Sequence, residues 1–98
     1  MNIQKELNGT NLTINLEGRL DTTTAPQLEA ELKSDISGIE KLTFNFADLE
    51  YLSSAGLRVL LAAQKVMNKQ GSMVIKNVNA TIMDIFEVTG FSGILTIE

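Results

Sequence analysis

The residues best placed to do chemistry lie in one run, Leu49-Glu50-Tyr51-Leu52-Ser53-Ser54-Ala55-Gly56-Leu57-Arg58-Val59-Leu60-Leu61. It reads as a strand exit, two hydroxyls, a glycine and the start of an apolar helix. A serine at a helix mouth sits beside backbone N–H groups that lack intrahelical partners. It can serve as a plain cap, the commonest use of serine there. It can also present an exposed Oγ as a regulated acceptor of phosphate, since added negative charge is favourable at that end of a helix. Two carboxylates, Asp21 and Asp48, fall in neighbouring loops and leave a carboxylate-only active site open. Only Arg19 and Arg58 accompany them to hold a substrate. The sequence has no histidine and no cysteine. Hydrolases built on an imidazole base are therefore excluded, as are disulfides and Cys/His metal sites.

The elements that must position this run fit in one domain, residues 1–98. Apolar residues make up 44% of the chain, enough for a single core. The net charge is −4, and the eight basic residues are scattered with no two adjacent. Nucleic acid and anionic membrane surfaces both require clustered Lys and Arg, so neither is an expected partner. No apolar run approaches the ~20 residues of a membrane span. Met1 to Glu6 contains no apolar core of a signal peptide, and a cytoplasmic location is expected.

Periodicity predicts the order strand, strand, helix, strand, helix, strand, helix, strand. Residues 2–7 form the first strand, and Asn8-Gly9 is a turn dipeptide leading to a hairpin partner at 11–17, where Leu12, Ile14 and Leu16 alternate with polar residues. Thr24 and Gln27 fit a capping box for a helix whose buried stripe is Ala25, Leu28, Leu32 and Ile36. Leu42, Phe44 and Phe46 mark a third strand, followed by a turn over Ala47 to Glu50. The second helix runs from about Ser54 to Gln70, with Gly71 just past its end. Its first half is apolar on more than one face, which means burial on two sides or an exposed patch kept for a partner. Residues 72–76 form a strand, Asn79 caps a third helix that stops at Gly90, and residues 93–97 form a final short strand. This pattern predicts an α/β fold with a mixed, mostly parallel sheet, an N-terminal hairpin, and helices after strands 2, 3 and 4.

In open α/β sheets, ligands sit beyond the carboxyl ends of the strands. That places Asp21, Thr22, Asp48, Ser53 and Ser54 in one expected neighbourhood. No phosphate-cradling loop or dinucleotide fingerprint is present, and no cofactor or metal is expected.

The run Asp48 to Leu60 resembles the signature of STAS domains, especially bacterial anti-sigma factor antagonists. Gly18-Arg19-Leu20-Asp21 and Phe86-Glu87-Val88-Thr89-Gly90-Phe91 support the resemblance, which spans essentially the whole chain. It implies a non-enzymatic partner switch. The unmodified antagonist binds an ATP-binding anti-sigma factor serine kinase, which releases a sigma factor. The kinase then phosphorylates the antagonist, and a PP2C-type phosphatase resets it. The family's acceptor lies two residues before the glycine, which is Ser54 here. Ser53 stands where members often carry aspartate and is a second candidate. Many members also continue into a C-terminal helix after the last strand. The expected contact surface comprises Asp21, Ser53, Gly56, Leu57, Arg58 and Leu61. STAS domains also serve as accessory subunits of lipid or anion transport complexes. In that alternative the apolar helix face docks permanently and Ser54 is only a cap.

Overall fold

Strict apolar alternation on two neighbouring strands builds one face of the sheet. A computed structural model describes all residues, 1–98. Its elements are β1 (Asn2–Asn8), β2 (Asn11–Leu20), α1 (Ala25–Asp35), β3 (Lys41–Leu52), α2 (Ser54–Gln70), β4 (Ser72–Lys76) and α3 (Ala80–Thr89), followed by a 3₁₀ turn at Phe91–Gly93. The sheet order is β1-β2-β3-β4. β1 and β2 form the expected antiparallel hairpin, while β2–β3 and β3–β4 are parallel. Gly9 takes a positive φ of 65° in the hairpin turn, where glycine carries no steric penalty.

Leu12, Ile14 and Leu16 of β2 lie beside Leu42, Phe44 and Phe46 of β3, and all six are buried. Helix residues Leu28 and Leu32 (α1), Leu60 and Met67 (α2) and Ile82 and Phe86 (α3) join them in one core cluster. The other face of the sheet is mostly polar, with Val74 its buried apolar exception. There Asn15, Asn45 and Asn77 form a ladder: Asn45 Nδ2 donates to Asn15 Oδ1 at 2.8 Å, and Asn77 Nδ2 donates to Asn45 Oδ1 at 2.8 Å.

The structure differs from the sequence expectations in four places. The turn expected over Ala47 to Glu50 is strand, because β3 stays paired with β2 as far as Leu20–Leu52. Two irregularities in register, between Asn15 and Glu17 and between Gly18 and Arg19, let the pairing continue while buried residues on β3 change spacing from two to three (Phe46, Leu49, Leu52). The capping box at Thr24 does not form. Thr24 Oγ1 instead donates to Arg19 O at 2.8 Å and accepts from Asp21 N at 2.8 Å, so it braces the turn before α1. The last strand shrinks to a single parallel bridge between Ile75 and Ile97. Gly71 ends α2 with an extended φ of 171°, so the reason for glycine is not a left-handed cap. It is space: a Cβ there would lie 1.8 Å from the carbonyl oxygen of Glu40.

Candidate functional site: the mouth of helix α2

The two serines divide the work. Ser53 has an extended backbone, and its Oγ accepts from Gly56 N at a long 3.5 Å, which makes it the N-cap of α2. Its backbone N–H donates to Leu20 O at 2.9 Å and its carbonyl accepts from Leu57 N at 3.0 Å. Ser53 therefore fastens the first turn of the helix to the end of β2. Ser54 is the first helical residue and is exposed, and its Oγ enters none of the chain's side-chain hydrogen bonds. The hydroxyl of Ser54 is free for chemistry, and the hydroxyl of Ser53 is committed to structure.

Gly56 follows from packing. A Cβ at this position would stand 2.7 Å from Leu20 Cγ and 2.7 Å from Leu52 Cδ1. Both leucines are buried at the carboxyl ends of β2 and β3. The missing side chain lets the helix start directly on the strand ends, which is how Ser54 comes to lie beside the β2–α1 turn. Gly56 and Leu57 are buried and present no side chain to a partner, contrary to their expected place on the contact surface. The apolar excess of α2 is largely resolved inward: Leu57, Val59, Leu60 and Ala63 are all buried. Arg58 is exposed and Ala55 and Leu61 are half-buried, so the outward surface of the first two turns is made by Ser54, Arg58 and parts of Ala55 and Leu61.

Asp21 sits beside this surface, because the Leu20–Leu52 pair places Asp21 and Ser53 at adjoining strand ends. Its carboxylate organises the turn into α1. Oδ1 accepts from Thr23 Oγ1 at 2.7 Å, Thr23 N at 3.0 Å and Thr24 N at 3.2 Å. The Thr23 hydroxyl holds the carboxyl below its ordinary pKa; burial opposes it, and the backbone N–H groups of Thr24 and Thr23 and the Thr24 hydroxyl add to the lowering. A carboxyl whose folded pKa is depressed adds stability above its unfolded value of about 3.9, and that stability is lost as pH falls through the folded value. Asp21→Asn should therefore flatten the acid limb of the stability curve below about pH 4. Urea midpoints measured at stepped pH would show it, and identical acid limbs in the two proteins would refute the assignment.

Asp48 is placed elsewhere. It pairs with Glu17 four residues before Leu52 on β3, and lines an open pocket of about 460 Å³ with Gly18, Ala47, Leu49, Glu50 and Asn79. The expected convergence of Asp21, Thr22, Asp48 and the serines is thus only partial, and the carboxylates that an Asp21–Asp48 active site would use belong to different places. Thr22 does join the serine end. Together with Ala25, Pro26, Glu29, Ala55, Arg58 and Val59 it lines a cleft of about 190 Å³ between α1 and α2.

Sequence reasoning named Arg19 and Tyr51 but missed the contact between them. They are register partners on β2 and β3, with the Arg19 guanidinium carbon 4.4 Å from the Tyr51 ring centroid and Arg19 Nε 3.7 Å from Asp21 Oδ2. The pairing depends on the register irregularity after Gly18, which no local pattern announces. No helix is long and apolar enough to cross a membrane.

Comparison with known proteins gives this geometry a context. The chain is 36% identical over 84 residues to the putative anti-sigma factor antagonist BtrV of Bordetella bronchiseptica, covering 84% of this chain and 72% of the relative. It is 28% identical over 99 residues to the anti-sigma-B factor antagonist of Bacillus subtilis, covering 100% of this chain and 91% of the relative. Among solved structures, unphosphorylated SpoIIAA shares the fold with a TM-score of 0.79 at 21% identity, over 99% of this chain and 87% of that one. Phosphorylated SpoIIAA from Bacillus gives 0.78 at 21% identity, over 99% and 91%. The family profile of the STAS domain matches residues 2–98, end to end with the fold described above, and on that match the chain belongs to the STAS domain family.

Proposed function

We propose that this STAS domain is an anti-sigma factor antagonist that works by binding and not by catalysis. In the unphosphorylated state it engages an anti-sigma factor serine kinase through the surface around Ser54, and so frees a sigma factor. The kinase transfers the γ-phosphoryl group of ATP to Ser54 Oγ. An O–P bond forms at Ser54, the bond to the bridging oxygen of ADP breaks, and the hydroxyl proton passes to a base on the kinase. A PP2C-type phosphatase reverses the mark by hydrolysis.

The observation that carries this reading is the exposed, unbonded hydroxyl of Ser54 on the first turn of α2. The names of the relatives supply the class of partner. Choosing Ser54 over Ser53 rests on the division of labour between them, since the Ser53 hydroxyl is already engaged in the helix cap and the Ser54 hydroxyl is not.

The test is incubation with the anti-sigma serine kinase of the same organism and Mg-ATP, followed by peptide mass spectrometry. Phosphate is expected on Ser54. Ser54→Ala should abolish it, and Ser53→Ala should retain it at a stability cost of about 1 kcal/mol from the lost cap. Phosphate on Ser53, or none on either serine from a kinase active on a control substrate, would overturn the assignment.

A further inference from the structure

We propose that Arg58 is the intramolecular counter-ion of a phosphate on Ser54. The inference rests on the reading of Ser54 as the acceptor, and extends it to a residue that makes the modified state different in kind.

Ser54 and Arg58 are four residues apart, and both lie within α2. Residues at that spacing are neighbours on a helix surface, with Cβ atoms about 5–6 Å apart. Long helical side chains lean back over the preceding turn, so a guanidinium at position 58 covers the surface next to position 54. Both residues are exposed, so neither must be dragged from a core to meet.

The other charged groups at this corner are already engaged. Arg19 is held by Asp21 at 3.7 Å and stacks on Tyr51. Glu29, which lines the cleft beside Arg58, is paired with Lys33 at 3.7 Å. Arg58 makes no salt bridge, which leaves it as the unpaired cation next to the acceptor. A guanidinium also matches phosphate in shape and can donate two parallel hydrogen bonds to it.

The consequence is a double change at the surface. Before phosphorylation, Arg58 stands free to meet a carboxylate of the partner. Afterwards the phosphate supplies negative charge and also takes that cation out of the interface. Phosphorylation then removes an attraction as well as adding a repulsion.

The experiment installs phosphoserine at position 54 during synthesis, so its outcome does not depend on whether a kinase uses that serine. The second ionisation of the phosphate is followed by ³¹P NMR in the otherwise unaltered protein and in Arg58→Gln. The helix end, Glu29, Asp21 and Arg19 are common to both proteins, and the difference reports on Arg58. The midpoint is expected to be lower with arginine by roughly 0.2–0.4 pH units, with the gap shrinking in high salt. Equal midpoints at low salt would overturn the pairing. Arg58 Nε–H resonances provide a second readout in a protein with no substitution at 58. They should move on phosphorylation, and unmoved resonances would count against the proposal in the same way.

Discussion

Phosphorylation of Ser54 is expected to weaken binding to the anti-sigma kinase at least about 100-fold while leaving the fold intact. The two effects have different sizes for a physical reason. On the isolated protein, phosphate adds about −1.5 to −2 charge at a helix N-terminus, which favours the helix by roughly 0.3–1 kcal/mol. The Ser53 cap and the Gly56 contact with Leu20 and Leu52 need not move, because neither uses the Ser54 hydroxyl. Within the proposed complex, the same group would meet a surface that had accommodated a small neutral hydroxyl. Unpaired or like-charged contacts there cost several kcal/mol, and every ~1.4 kcal/mol is tenfold in affinity. The melting temperature of the phosphoprotein should therefore rise by a few degrees or stay level. Calorimetric titration of kinase with the two forms, alongside thermal melts, measures both quantities. Affinities within threefold of each other would refute the switch and favour a domain that docks permanently. A melting temperature lowered by ten degrees would place the effect in the fold instead.

Gly71→Ala is expected to destabilise the protein by about 3 kcal/mol or more, well beyond an ordinary glycine substitution. The added Cβ would meet the Glu40 backbone at its oxygen (1.8 Å), carbonyl carbon (2.6 Å) and Cα (2.9 Å). A flexible side chain can swing away from such a contact, but this backbone is fixed on both sides. Glu40 N donates to Thr10 O at 2.9 Å, and Glu40 O accepts from Ser72 N at 3.0 Å. Close by, Gln70 Nε2 bonds the carbonyls of Ile36 and Ile39, each at 2.7 Å. Relieving the clash means separating the start of β4 from β3 at Lys41–Ser72, the first pair of that ladder. The melting temperature should fall by at least about 12 °C, since ~1 kcal/mol corresponds to roughly 4–8 °C in a domain of this size. Amide exchange should quicken first in β4. An alanine protein that melts within two degrees of the original would refute the account.

Much of this fold could be read from the sequence because its signals are local. Leu12, Ile14 and Leu16, and Leu42, Phe44 and Phe46, keep a period of two, and Asn79 and Gly90 mark the ends of α3 with ordinary cap chemistry. The failures came where a long-range contact overrides the local pattern. Beyond Phe46 the spacing of three looks like a turn until β2 is known to lie alongside with its own irregular register. The final strand has apolar residues but only Ile97 in ladder contact. The site divides in the same way. A serine beside a helix start is visible in one dimension. Its separation from Asp48, the burial of Leu57 and the stacking of Arg19 on Tyr51 require knowing which strand ends lie together.

The treatment of the sheet margins bears on how the molecule behaves in a crowd. An open strand margin offers a row of unpaired amides and carbonyls to any other chain. At one margin, Lys5 in the middle of β1 is tied down to Glu31 and Asp35 of α1, so a charged side chain guards the strand. At the other, Ile75 donates to Thr96 O at 2.9 Å and accepts from Glu98 N at 2.9 Å. The last residues thus occupy sites on β4 that a stranger would need. Too short to count as a strand, the segment works as a selvage stitched at one point, closing the margin of β4 at Ile75.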